Sequence, residues 1–120
     1  MKTILIIEDQ PDVRDLVRMT LEMKNYSVQE AADGERGLLA AASNPPDVVL
    51  LDLLMPGALN GLAVCQRIKA DPRLKRTAVV ILTGRTEPGV RDAALQAGAD
   101  DFLIKPFSPR QLLQVVQRLA

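Results

Sequence analysis

The strongest constraint on this chain is a set of short, continuous, branched apolar runs, each followed by a polar residue. Ile4-Leu5-Ile6-Ile7, Val48-Val49-Leu50-Leu51 and Ala78-Val79-Val80-Ile81-Leu82 show no alternation of polar and apolar side chains. A strand with one wet face alternates, so unbroken runs of this length predict strands covered on both faces, as in a parallel sheet under helices. Tyr26 to Ala31 alternates more and reads as an outer strand, and Phe102-Leu103-Ile104 as a short fifth strand.

Helical spacing fills the intervals. Val13, Leu16, Val17, Thr20 and Leu21 fall at i, i+3, i+4, i+7 and i+8, a single stripe behind Pro11, which suits a first helical turn. A second helix runs roughly from Gly34 to Ala42 and stops at Asn44-Pro45-Pro46. A third occupies about Leu62 to Ala70 and ends before Pro72. Val90, Ala93, Ala94 and Ala97 give a fourth helix a small-residue stripe closed by Gly98. The fifth starts at Ser108-Pro109 and buries Leu112, Val116 and Leu119. Strand and helix alternating in this way predict an α/β fold, a doubly wound (βα)5 three-layer sandwich. Residues 1–120 make one domain.

Composition removes whole chemistries. Fifteen basic and 15 acidic side chains cancel to a formal charge of zero, against any nucleic-acid or anionic-membrane binding held by bulk charge. Histidine is absent, so Ser-His and Cys-His nucleophiles, His-ligated zinc or haem and an internal phosphohistidine are impossible. The single cysteine, Cys65, excludes an internal disulfide and suits a reducing compartment. Among Leu62, Val64 and Ile68 it reads as a small core residue without chemistry. The run Ile4–Ile7 is too short for a signal-peptide core or a membrane span. The expectation is a soluble cytoplasmic protein with no direct nucleic-acid or membrane partner.

Ligands of open parallel sheets bind outside the carboxyl ends of the strands. The first strand is followed by Glu8-Asp9, the third by Asp52, the fourth by Thr83-Gly84 and the fifth by Lys105-Pro106. Singly, each is an ordinary strand end or helix cap, and Lys105 a solvated side chain. Together they put three carboxylates, a hydroxyl and an ammonium on one rim. Three negative charges against one positive leave a formal −2, which a hard divalent cation bound through oxygen would neutralise. Magnesium fits, since it takes one or two carboxylates and fills its other positions with water and phosphate oxygens. A metal, a lysine and a hydroxyl around one aspartate make a phosphoryl-transfer geometry.

At these segments the chain resembles the receiver (REC) domain of two-component response regulators. The matching stretches are Ile4 to Asp9, Asp47 to Pro56, Val80 to Gly84 and Ala97 to Phe107, so the resemblance covers essentially the whole length. It implies a flavodoxin-like strand order 2-1-3-4-5. It implies Asp52 as phosphoacceptor from a histidine kinase or phosphotransfer protein, and Mg2+ as cofactor. Asp9 would be the direct metal ligand and Glu8 the holder of metal-bound water, with Asp52 and the backbone carbonyl of Leu54 completing the protein ligands. Lys105 would contact the phosphoryl oxygens, Thr83 would move toward them, and Phe102 would rotate inward afterward. The Lys105–Pro106 bond would be cis, tolerable because proline narrows the trans preference to roughly 0.5–1 kcal/mol.

The resemblance also implies a signalling surface on the fourth helix, fifth strand and fifth helix. Leu95, Leu113 and Val115, read as flanking the buried stripes, would serve there for a downstream effector, an output domain or a homodimer. The basic stretch Lys69, Arg73, Lys75 and Arg76 reads as a solvated turn. After Met55-Pro56, Gly57-Ala58-Leu59 precedes Asn60-Gly61, one residue more than the family pattern. Leu54 and Arg85 stand where the family controls water entry and dephosphorylation.

The function expected is a phosphorylation-activated switch, either stand-alone or the amino-terminal part of a longer regulator. It is not an enzyme beyond its own phosphoryl transfer and dephosphorylation. Two rivals stand beside it. One is a receiver-like docking module that is never phosphorylated. The other is a small Mg-dependent aspartyl-phosphate phosphatase of the haloacid dehalogenase kind, which needs an acid two residues after its nucleophile; Leu54 stands there.

Overall fold

The computed structural model describes residues 1–55, 59–84 and 87–120. The apolar runs form β1 (Thr3–Ile7), β3 (Val48–Asp52) and β4 (Ala78–Thr83), flanked by β2 (Ser27–Ala31) and β5 (Asp101–Ile104). All neighbours are parallel, in the order β2-β1-β3-β4-β5. The continuous runs therefore hold the centre, and the alternating segment and the shortest strand hold the edges.

Side chains of a strand point alternately to its two faces, which explains why both parities must be apolar. Leu5, Ile7, Val49, Leu51, Val79 and Ile81 enter one core with α2 (Gly34–Ser43), α3 (Gly61–Ala70) and α4 (Pro88–Gln96). Ile4, Ile6, Val48, Leu50, Val80 and Leu82 enter the other, under α1 (Pro11–Glu22) and α5 (Pro109–Leu119). All of these strand residues are fully buried. At about 1.5–3 kcal/mol for each large aliphatic side chain, they are the main support of the sheet.

Helix ends follow from local chemistry. Asp33 caps α2 by accepting from the Arg36 N–H, and Asn60 caps α3 by accepting from the Ala63 N–H. Ser108 and Gln111 close a reciprocal capping box ahead of Pro109 on α5. Among the described residues no helix is long and apolar enough to cross a membrane.

Three readings need correction. Val115 is buried in the core under α5, not on its flank, because it lies three residues after Leu112 and shares that inward line with Val116. Leu16, expected in the α1 stripe, is 46% exposed, while Val17 and Leu21 carry the burial. The basic stretch contains a 3-10 turn, Pro72–Leu74, and its first member, Lys69, is half-buried and paired. Lys69 Nζ lies 2.5 Å from Asp100 Oδ2 and donates to the Thr77 carbonyl at 3.0 Å. Gly98, at φ 97°, allows this, since a Cβ there would stand 2.9 Å from Lys69 Cγ.

Candidate functional site

Parallel pairing puts all strand C-termini on one rim, with Ile7 beside Leu51, Asp52 beside Leu82 and Thr83 beside Ile104. The chain stays on that rim one residue beyond β1, because the Glu8 N–H donates to the Ala31 carbonyl at 3.0 Å. It does so again after β5, where the Lys105 N–H donates to the Thr83 carbonyl at 2.8 Å. The Lys105–Pro106 peptide is cis.

Glu8, Asp9 and Asp52 each place a carboxylate oxygen within 4.8 Å of the others. Glu8 is fully buried, Asp52 nearly so, and Asp9 half-buried. Lys105 Nζ reaches into the cluster, 2.5 Å from Glu8 Oε1 and 3.4 Å from Asp52 Oδ1. The Leu54 N–H donates to the same Asp52 oxygen at 3.3 Å, while the Leu54 side chain points outward, 58% exposed.

One lysine does not settle three acids. Burial, followed by the neighbouring Glu8 carboxylate, pushes the Asp52 carboxyl up to about 7, although Lys105 pulls the other way. Burial and the adjoining Glu8 carboxylate thus outweigh the lysine in favouring the neutral form. Oxygen donors this close, with a surplus of negative charge and a single ammonium, fit a small hard cation such as Mg2+.

Thr83 and Phe102 share the sheet face of α3 and α4. Thr83 is two residues beyond Ile81, whose register partner is Phe102, and Phe102 packs half-buried against that core. Thr83 itself is buried at the rim. The expected metal and phosphoryl-site residues thus meet at one end of the sheet, and Phe102 lies two register positions below Thr83. Arg85 and Pro56-Gly57-Ala58, including most of the extra-residue loop, lie outside the described residues. Leu59 is half-buried against the α2–α3 core.

The expected partner patch changes membership. Leu95 is 51% exposed and Leu113 half-buried, but Val115 is removed to the core. Ile104, which the sequence did not single out, is 47% exposed on β5, the outer strand of the same face. Asp101 and Arg118 form an ion pair between β5 and α5. Sequence reasoning also passed over Arg14, whose Nη1 donates to the Glu8 carbonyl at 2.7 Å. Its place on the polar side of the α1 stripe was legible; its partner was not.

The model of the response regulator receiver domain family matches residues 4–117. The DNA-binding dual master transcriptional regulator RpaA of Synechocystis is 40% identical over 119 residues, 99% of this chain and 49% of that protein. The chain spans about half the length of the curated relatives it matches. Chemotaxis protein CheY4 of Vibrio cholerae superposes with a TM-score of 0.94 at 32% identity, covering 100% of this chain and 99% of that one. The receiver domain of the sensor histidine kinase PA1611 of Pseudomonas aeruginosa gives 0.89 at 31% identity, covering 98% and 96% respectively. That structure holds a magnesium ion coordinated in its active site cleft.

Proposed function

This chain belongs to the response regulator receiver domain family, and we propose that it is a phosphorylation-controlled switch with Asp52 as the phosphoacceptor. The observation that carries the reading is the position of Asp52. Its carboxylate ends the central strand, buried, beside two further acids and within 3.4 Å of the Lys105 ammonium.

None of the 120 residues is histidine, so the phosphoryl group comes from outside them, from a histidine kinase or phosphotransfer protein. An Asp52 oxygen attacks phosphorus, forming a P–O bond as the P–N bond of the donor phosphohistidine breaks. The electron pair leaves with the imidazole nitrogen. Glu8, Asp9, Asp52 and the Leu54 carbonyl would hold Mg2+, which supplies neutralisation of the negative charge gathered between the acids and the phosphoryl oxygens. Lys105 turns from Glu8 to the incoming oxygens and stabilises the charge that develops on them.

The product carries about −1.5 to −2 charges at the rim where the carboxylate carried one. Thr83 donates to the new oxygens, and its displacement opens space on the face it shares with Phe102. Rotation of Phe102 then couples the rim to the surface of α4, β5 and α5, where Leu95, Ile104 and Leu113 address a downstream effector, an output domain or a second copy. Reversing such a switch from 1:99 to 99:1 takes about 5.5 kcal/mol of differential stabilisation. The chemistry acts on the chain's own aspartate, so the role is signalling rather than turnover.

Incubation with Mg2+ and acetyl phosphate, followed by intact-mass measurement, tests the reading. The expected result is a gain of one phosphoryl group by the wild type and none by Asp52→Asn. No gain under saturating donor would favour a docking module that is never phosphorylated. Sustained hydrolysis of phosphate monoesters would favour the phosphatase.

A further inference from the structure

The turn carrying Glu8 and Asp9 leaves the sheet and must hold two carboxylates against each other. Its backbone is fixed at the Glu8 N–H by the Ala31 carbonyl. The Gln10 N–H donates to Glu8 Oε2 at 3.3 Å, a longer contact. The Glu8 carbonyl is past the end of β1 and has lost its place in the ladder. Among the described residues, the hydrogen bond it receives comes from Arg14 Nη1, at 2.7 Å. This carbonyl belongs to the peptide that joins the two acids, so its direction sets where the Asp9 backbone begins.

Arg14 is itself held. Its side chain is 20% exposed, and its Nε lies 3.6 Å from Glu30 Oε1 on β2. Glu30 is bound in turn by Arg18 Nη1 at 3.3 Å. The guanidinium therefore spans α1, β2 and the acid turn. Its charge is engaged by Glu30, which leaves its effect on the acids one of position rather than of field.

We propose that Arg14 is a positioning residue for divalent-cation binding, acting through the Glu8 carbonyl to set the spacing of the Glu8 and Asp9 carboxylates. The inference rests on the metal site proposed above. Groups that orient metal ligands without touching the metal commonly change affinity by about 10–100-fold when removed. A buried carbonyl left without a donor is unfavourable, and rotating the peptide toward water is the simplest relief. Such a rotation would carry Asp9 with it.

The test is calorimetric titration of Mg2+ alone into wild type, Arg14→Met, Arg14→Lys and Glu30→Gln, with far-ultraviolet circular dichroism of each in EDTA. Arg14→Met should bind Mg2+ about tenfold or more weakly. Arg14→Lys, which keeps one donor, should recover part of the loss. Glu30→Gln, which weakens the ion pair but spares the carbonyl bond, should stay within about twofold of wild type, a difference of roughly 0.4 kcal/mol. Wild-type affinity in Arg14→Met overturns the inference, as does an equal loss in Glu30→Gln, which would assign the effect to the ion pair. If Arg14→Met does not fold, Arg14→Lys carries the test, and an unshifted affinity in it overturns the inference. A wild type that takes up no Mg2+ fails the metal reading and this inference together, whereas wild-type binding with an unmoved Arg14→Met fails this inference alone.

Discussion

Lys105 Nζ lies 2.5 Å from Glu8 Oε1, joining positions 97 residues apart at the centre of the acid cluster. The Glu8 carboxylate has no exposed surface, and the lysine has little. Leaving one member of a buried ion pair without its partner costs about 3–5 kcal/mol. Lys105→Met should therefore lower metal-free stability by about 3 kcal/mol. Mg2+ should restore a large part of this loss, since it replaces the missing positive charge. Phosphoryl uptake should remain impaired, because no ammonium is left to meet the developing charge. Urea unfolding in EDTA and in Mg2+, with acetyl-phosphate labelling, checks all three. A variant as stable as wild type in EDTA would mean that the pair contributes nothing.

Asp52 gives the metal-free protein a pH dependence of defined sign. Burial and Glu8 raise its carboxyl from 3.8 to about 7 in the folded state. Between those values the folded protein keeps a proton that the unfolded chain has released. Stability contributed by this group is thus complete at acid pH and is lost as pH rises through about 7. Urea midpoints in EDTA should fall from about pH 5 to pH 8 more steeply in wild type than in Asp52→Asn. Equal slopes would exclude Asp52 as the source. Mg2+ should flatten the wild-type curve by displacing the proton.

Val115 marks where sequence reading reached its limit. The sheet was legible because three continuous apolar runs allow only a doubly covered parallel arrangement, and the rim was legible because polar residues follow those runs directly. The inward line of a helix is less determined, since residues three and four apart both face inward and the packing angle decides their shares. Arg14 and Lys69 were missed for another reason. Their partners, a carbonyl at the end of β1 and an aspartate before β5, are fixed only by the fold. Val115→Ala should cost about 2 kcal/mol as a buried truncation. Leu95→Glu should change stability by no more than about 0.5 kcal/mol, while altering self-association or effector binding if that face is used. Chemical denaturation and light scattering of the two variants separate core from surface.

Cys65 offers a reporter of opening. It is fully buried on α3, its Sγ is 3.5 Å from the Ala97 carbonyl, and burial pushes the thiol up to about 11. Thiolate is the reactive form, so the folded protein should label slowly with an aromatic disulfide at neutral pH and fully in denaturant. The native labelling rate should fall further when Mg2+ is added, if the metal stabilises the closed state. Fast stoichiometric labelling of the native protein would contradict the burial of Cys65 beside the Ala97 carbonyl.

Gly61 tests how tightly the phosphoacceptor is tied to the helix after it. Its N–H donates to the Leu53 carbonyl at 3.0 Å, tying the start of α3 to the residue after Asp52. A Cβ at this position would press on the Asp52 carbonyl oxygen and stand 2.7 Å from Leu53 Cα, so backbone rather than a flexible side chain is in the way. Backbone must then move, and overpacking of this kind costs about 1–3 kcal/mol. The displaced atoms belong to Asp52 and its neighbour, so Gly61→Ala should lose phosphoryl uptake as well as stability. Gly84→Ala is the matched control, since a Cβ there meets nothing within 4 Å among the described residues. It should retain stability to within about 0.5 kcal/mol although it lies beside Thr83. Equal stability of the two variants in urea would show that the backbone there yields freely, and that α3 does not hold Asp52 in register with Lys105.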